Sequence, residues 1–546
     1  MTHAVIPAPI RFDAGEGRGF ALRPSTAVAY ADAGLGPVVG RFCARLARYT
    51  NLHLTPVQYS PVEGSPAPDE PSVRIELAPA DERDGLPPPA GLAPDGGDAA
   101  DERYSLLVED RQVVVRAAGP AGIARGLTTL LQLAATAPDA GPGETRLPPA
   151  RILDGPRYAW RGLSLDVART FFTPEEIRRV IDLLELYKLN VLHLHLTDDQ
   201  AWRLPIGRPP GGPGSADAVP GDAVPGEPFY SPEDLRALVA YAADRFVTIV
   251  PEVDTPGHAT ALLRLHPELA TGRNEVDYEI LPGHPRHATW LDPELPVTFG
   301  MMEQVLAGLA AIFPGPYLHI GADEPRGMPD DLYVAYVQRL RGLIRTLGRR
   351  PLGWQESARA GLRPDDVIQF WLTGFELPPD APPRVRAQAE VELALADRDV
   401  EAVVAASVPV IVSPLPFCYL DVPYAEPSAD PAQADRQSRL GLRVYAPKPV
   451  DSSFGWEPGE ALGSGRGAQV AGVEAAIWAE TITGFDDLCF LLLPRLPGVA
   501  HKAWSAPPSA GQPDGWPAHR GRLARHGRLW TADGLEYFRS SAVDWA

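Results

Sequence analysis

Cysteine is scarce in this chain. Three occur in 546 residues, Cys43, Cys418 and Cys489, and no Cys-x-x-Cys pair is among them. An odd, scattered count excludes a disulfide scaffold and points to reduced thiols. Long apolar runs are also lacking: none approaches the roughly 18–20 residues that cross a bilayer. The first residues, MTHAVIPAPI, contain no basic stretch followed by an apolar core. No secretory signal is therefore read, and the expectation is a cytoplasmic protein, with export by another route left open. Positive charge is in deficit, with 50 Lys and Arg against 70 Asp and Glu, a net charge of −20. Nucleic-acid binders need a basic face, so nucleic acid is not expected as a partner, and neither is an anionic membrane surface. A soluble enzyme with a neutral or cationic substrate fits this balance. The hydrophobic share of 45% and charged share of 22% are those of a soluble globular protein. The length exceeds one ordinary core, so two or more domains are expected.

Residues 1–155 read as a small α+β unit. GPVVGRFCARLARYT (36–50) and GPAGIARGLTTLLQLAAT (119–136) have helical periodicity. SVRIELA (72–78) reads as a strand, and YSLLVEDRQVVVRA (104–117) as two strands about a turn at Glu109 and Asp110. Stretches rich in Pro, Gly and Asp near 79–102 and 137–149 read as loops. From 156 onward short apolar runs alternate with helical patterns. Eight strand candidates appear: 162–167, 191–196, 247–253, 317–321, 351–354, 367–371, 409–413 and 470–478. PEEIRRVIDLLELYK (174–188) is a helix with Thr173 as N-cap and Pro174 at its first position, and SPEDLRALVAYAADR (231–245) repeats that start. DLYVAYVQRLRGLIRTLG (331–348) is a third helix. Eight strands with interleaved helices predict an α/β fold, a (β/α)₈ TIM barrel over 156–546, with a helical extension from about 505. The Pro- and Gly-rich stretch 207–228 reads as an inserted loop. In the extension, HRGRLARHGRLW reads as a helix packed on the barrel with a solvated basic face.

Such a barrel does its chemistry at the C-terminal ends of its strands. Those ends carry Asp166 and Arg169; Asp198, Asp199 and Trp202; Glu252, Asp254 and His258; Asp323 and Glu324; Trp354 and Glu356; Trp371; Tyr419 and Asp421; and Trp478 and Glu480. Indoles stack on the C–H faces of pyranose rings, and carboxylates and arginine bind their hydroxyls, so a carbohydrate suits this set. A strand-end carboxylate can then protonate a glycosidic oxygen.

RGLSLDVARTFF, YKLNVLHLHLTDDQAWRLPI, PEVDTPGHA, YLHIGADEP, GWQE and IWAE resemble, in order and spacing, the β-N-acetylhexosaminidases of glycoside hydrolase family twenty. The resemblance covers most of 157–505, and the amino-terminal unit is similar to the non-catalytic domain that commonly precedes this barrel. It implies hydrolysis of terminal β-linked N-acetylglucosamine or N-acetylgalactosamine with retention, the substrate's own acetamido oxygen acting as nucleophile. The substrate it implies is an N-acetylhexosamine-terminated oligosaccharide or glycoconjugate, with no cofactor and no metal. By the same resemblance Glu324 is the general acid and then the base. Asp323 orients the acetamido N–H, and Tyr419 donates to the acetamido oxygen. Trp354, Trp371 and Trp478 wall the acetamido methyl. Arg169, Asp421 and Glu480 hold ring hydroxyls, and Asp198, Asp254, His258 and His319 line the site. The adjacency of Asp323 and Glu324 fits this chemistry. Their Cα atoms are about 3.8 Å apart, awkward for an acid and a nucleophile on opposite sides of one bond.

Two departures stand out. Gly321-Ala322 replaces the more common Gly-Gly before the Asp-Glu pair, and the segment 424–446 lacks a Trp-Gly that many relatives carry under the sugar ring, with Trp456 downstream as a possible substitute. Rival readings are a different hexosaminidase specificity, such as disaccharide release or a modified hexosamine, a non-catalytic sugar-binding barrel, and a metal-dependent hydrolase built on His193, His195, His258, His319 and Asp323. The oligomeric state is not legible in the sequence.

Overall fold

The computed structural model describes residues 3–545, apart from 60–71, 80–81, 98–100, 139–142, 206–226, 282–283, 375–376, 378–380, 464–466 and 508–514. All eight expected strands are present and close into a parallel barrel. They are β1 (Trp160–Asp166), β2 (Val191–His195), β3 (Thr248–Glu252), β4 (Tyr317–His319), β5 (Arg350–Trp354), β6 (Val367–Phe370), β7 (Pro409–Val412) and β8 (Gln469–Ile477). β8 returns to β1 in parallel, with Gly162 opposite Glu474. Most of the inserted loop expected at 207–228 lies outside the described residues.

Local chemistry explains the helices that follow β1 and β2. In α1 (Pro174–Leu186) the Thr173 hydroxyl accepts from the Glu176 N–H while the Glu176 carboxylate accepts from the Thr173 N–H. In α2 (Pro232–Ala243) Ser231 and Asp234 do the same. These reciprocal caps satisfy amide donors that a helix start leaves unpaired. α3 (Pro296–Ile312) follows an antiparallel hairpin, Glu275–Leu281 with His284–Thr289. α4 (Asp330–Thr346) follows β4, and α5 (Pro383–Ala406) follows β6.

Alternate residues of each strand point into the barrel. Its floor is apolar, a cluster of Trp160, Val191, Val250, Tyr317, Leu352, Val367 and Ile411. One step up, the interior turns polar with His193, Glu252, His319, Gln369 and Glu474, all buried. Gly162 is required at this level: a Cβ there would stand 2.2 Å from Glu474 Oε2.

The amino-terminal unit is a seven-stranded mixed sheet, with helices Gly36–Thr50 and Pro120–Ala135 packed into its core. Its last strand, Ala150–Asp154, ends just before β1. Buried charge joins it to the barrel. Glu102 bridges Arg125 at 2.6 Å and Arg161 at 2.7 Å. Lys188, at the end of α1, lies 2.9 Å from Asp154, and both side chains are fully buried.

The terminal helix, Trp516–Ala532, packs on the barrel and also on the amino-terminal unit. His526 and Trp530 both bond the Tyr187 hydroxyl beside α1, at 2.9 and 2.7 Å, and His526 Nε2 lies 2.7 Å from the Ala4 carbonyl. Its basic face is only partly solvated, because Arg522 is buried.

Candidate active site

The Asp323–Glu324 pair sits just beyond β4, where the chain leaves ordinary backbone geometry. Gly321, Ala322 and Glu324 all take positive φ, at 66°, 73° and 41°. Pro325 disfavours the right-handed helical region for Glu324, and the left-handed turn takes its place. Gly321 has no room for a side chain: a Cβ would meet Asp254 Oδ1 at 1.7 Å. Asp254 Oδ1 in turn accepts from the Ala322 N–H at 3.1 Å, and the Tyr333 hydroxyl donates to the Ala322 carbonyl at 2.7 Å. These contacts hold a residue other than glycine in the left-handed region.

The turn sends the two carboxylates different ways. Asp323 faces inward, its Oδ2 3.9 Å from His258 Nε2 and its buried Oδ1 without a hydrogen-bond partner. Burial pushes its carboxyl above the usual range; His258 opposes that and the Glu324 charge adds to it. Burial and the Asp323 charge push Asp254 well above its usual range. Glu324 faces outward instead, 32% exposed, with its Oε1 2.6 Å from Arg326 Nη2.

Aromatic walls stand over this floor. The Trp354 indole N–H donates to Glu252 at 2.7 Å, which fixes its ring. Its ring lies 5.9 Å from that of Trp478, and Tyr419 lies 6.0 Å from Trp478 and stacks on Trp371 at 6.1 Å. All the expected indoles thus enclose one recess with Tyr419. Trp371 also donates to Glu356 at 3.2 Å, and burial, with Asp323, pushes that carboxyl well above its usual range.

The third side of the recess carries charge. Arg169 binds Asp198 at 2.7 Å and Asp166 at 3.3 Å, and its guanidinium lies over the Trp478 ring. Asp421 is buried, yet neither of its carboxylate oxygens has a hydrogen-bond partner. Burial and the nearby Glu480 charge push it up to about 8. His258 lies between Asp198 at 3.4 Å and Asp254 at 3.9 Å. Although burial opposes it, these carboxylates hold its imidazole well above the usual range.

His193, His195 and His319 face the barrel interior instead. All three surround Glu252, at 3.1, 2.7 and 3.1 Å, and His193 also meets Glu474 at 2.9 Å. Burial disfavours charge on both sides of this cluster. The imidazoles nevertheless keep Glu252 well below its usual range, and the carboxylates lift His193 to about 9. Three triplets of these side chains, such as His193, Glu252 and His319, lie close enough to share an ion. His193 Nδ1 is hydrogen-bonded to Glu474 and His195 Nδ1 to Glu252, whereas His193 Nε2, His319 Nε2 and both His258 nitrogens have no hydrogen-bond partner.

Trp456 is not part of the recess. It stacks on Phe417 at 5.6 Å, donates to the Ser453 carbonyl at 3.0 Å and is buried in the core. Segment 424–446 brings Tyr445 to this side, packed against the Leu415, Tyr419, Val422 and Ala476 cluster that Trp371 and Trp478 also border. Burial, then the charges of Asp421, Glu480 and Glu324, push the Tyr445 hydroxyl well above the usual range. Sequence reasoning missed Tyr445 by looking for a tryptophan. It also missed Arg326, although Arg326 follows the Asp-Glu-Pro run directly.

A closed parallel barrel with carboxylates and indoles at its strand ends, behind an α+β domain, is the build of a glycoside hydrolase. The profile "Glycosyl hydrolase family 20, catalytic domain" matches residues 158–328 and 326–507, and "Glycosyl hydrolase family 20, domain 2" matches 2–155. The chain belongs to glycosyl hydrolase family 20. It is 35% identical to a beta-N-acetylhexosaminidase of Cellulomonas fimi, over 99% of this chain and 97% of that protein. The solved family-20 beta-N-acetylhexosaminidase of Streptomyces coelicolor A3(2) superposes with a TM-score of 0.75 at 32% identity, covering 100% of this chain and 99% of that one. A mutant Streptomyces plicatus beta-hexosaminidase, solved with its product GlcNAc, gives 0.75 at 30% identity, with 100% and 98% covered.

Proposed function

We propose that this glycoside hydrolase is a retaining exo-β-N-acetylhexosaminidase that removes terminal β-linked N-acetylglucosamine or N-acetylgalactosamine by substrate-assisted catalysis. One observation carries the reading. The indole-walled recess holds buried carboxylate oxygens with no hydrogen-bond partner, on Asp421 and on Asp323, the direct neighbour of Glu324. Buried polar atoms without partners are costly, and sugar hydroxyls and an acetamido N–H satisfy them.

The steps follow from these positions. The acetamido carbonyl oxygen attacks C1 as the glycosidic C–O bond breaks, and Glu324 gives its proton to the departing oxygen. Asp323 accepts the acetamido N–H and balances the charge of the oxazolinium-like intermediate. Tyr419 donates to the acetamido oxygen and fixes it against C1. Water then adds to C1 and gives its proton to the Glu324 carboxylate. The bond from C1 to the acetamido oxygen breaks, and acetamide and acid are restored. Trp354, Trp371 and Trp478 wall the methyl, Arg169, Asp421 and Glu480 hold ring hydroxyls, and Tyr445 offers the ring face that the missing tryptophan would supply. Asp198 and His258 hold Arg169 and Asp323 in place. This chemistry requires no cofactor.

The test is hydrolysis of an aryl N-acetyl-β-glucosaminide by wild type and Glu324→Gln, with a thiazoline analogue of the intermediate as inhibitor. The variant is expected to lose at least about 100-fold in kcat/KM on a substrate with a poor leaving group. Equal rates would remove Glu324 from its role.

A further inference from the structure

The carboxylate assigned as acid and base is gripped by a cation that the proposed mechanism does not use. Arg326 Nη2 lies 2.6 Å from Glu324 Oε1, and a tight turn through Pro325, with the Arg326 N–H 2.6 Å from the Glu324 carbonyl, fixes the two residues together. The guanidinium has other neighbours. Its Nη1 is 3.6 Å from Glu392 Oε1 on α5, and its carbon lies 4.8 Å over the Tyr278 ring on the hairpin after β3. Its Nε is buried and has no acceptor. The cation is therefore shared between two carboxylates from different elements, with one anchoring point unused.

A guanidinium binds a carboxylate more strongly than a neutral carboxylic acid. The two half-reactions need Glu324 in opposite states: a carboxylic acid when the leaving group departs, a carboxylate when water attacks. Arg326 at 2.6 Å helps the second and resists the first. Glu392 competes for the same cation, so its charge sets how firmly Arg326 holds Glu324. We infer that Arg326 is a positioning residue that sets the balance between the two steps, and that Glu392 on α5 tunes it by drawing the guanidinium away from Glu324. This rests on the role assigned to Glu324 above.

Each step can be read separately. A β-linked N-acetylhexosamine disaccharide, whose leaving group needs the proton, reports the first through kcat/KM. The preformed 2-methyl oxazoline of N-acetylglucosamine reports only the second. Arg326→Gln is expected to lower oxazoline hydrolysis at least tenfold while leaving the disaccharide unchanged or faster. Glu392→Gln is expected to do the reverse, lowering kcat/KM on the disaccharide severalfold and sparing the oxazoline. Arg326→Lys, which keeps the charge, restores part of the oxazoline rate. Structural damage would depress both substrates together. Parallel losses, no change, or the opposite crossing each overturn the inference. Failure of the mechanism itself would look different: wild type would not hydrolyse the oxazoline, or Glu324→Gln would hydrolyse it at the wild-type rate.

Discussion

Two neighbouring residues, Gly321 and Ala322, share a left-handed turn under different constraints. Gly321 abuts Asp254, which braces the Asp323 side of the site. Gly321→Ala is predicted to lower kcat/KM by more than about 100-fold, because a displacement of 1 Å in a site can cost that much. Ala322 already carries its Cβ at φ 73° and lies buried. For Ala322→Gly, relief of a left-handed penalty of roughly 1–2 kcal/mol offsets a lost methyl of about 0.8 kcal/mol and the added chain entropy. That variant is expected to unfold within about 1 kcal/mol of wild type; a larger loss in urea titration would show that the methyl is needed for packing.

Asp421 gives a pH prediction at the same scale. Its folded value of about 8 stands above the ordinary value near 3.9 of an unfolded chain. Between those limits the native state binds more protons, so this group's contribution to stability falls as pH rises. Asp421→Asn removes the effect. Its stability relative to wild type should climb between pH 5 and 8, by up to about 1.4 kcal/mol per pH unit. A difference that stays constant with pH would contradict the assignment.

Local signals made the elements readable. Thr173 and Ser231 announced two helices through their own hydroxyls, and each barrel strand was a short apolar run that needed no distant partner to be recognised. Thr173→Ala should cost about 1 kcal/mol in urea unfolding. α5 (Pro383–Ala406) and the hairpin after β3 were not foreseen, and both border the site through Glu392 and Tyr278. Much of α5 is exposed and charged, so no clear apolar stripe marks it. Asp323 and Glu324 were legible as a pair because they are adjacent in sequence, whereas their opposite orientations depend on the positive-φ turn that Asp254 and Tyr333 support.

Across the whole molecule, the least legible feature is the seam between the amino-terminal unit and the barrel. Lys188 meets Asp154, and the Trp504 indole donates to the same carboxylate at 3.0 Å, with partners far apart in the chain. Nothing in the local sequence marks those pairings, because they exist only once both units have folded. Removing one partner leaves a buried charge uncompensated. Lys188→Ala should therefore destabilise the protein by about 3–5 kcal/mol, seen as a lowered urea midpoint; a change below about 1 kcal/mol would mean that water reaches Asp154.

In the proposed mechanism the substrate supplies the nucleophile. Replacing the acetamido methyl hydrogens of an aryl N-acetyl-β-glucosaminide by one, two and three fluorines weakens the carbonyl oxygen stepwise with little change in shape. A steep, monotonic fall in kcat/KM is expected across that series, several powers of ten from acetyl to trifluoroacetyl. A kcat/KM that does not change with fluorination would contradict the mechanism.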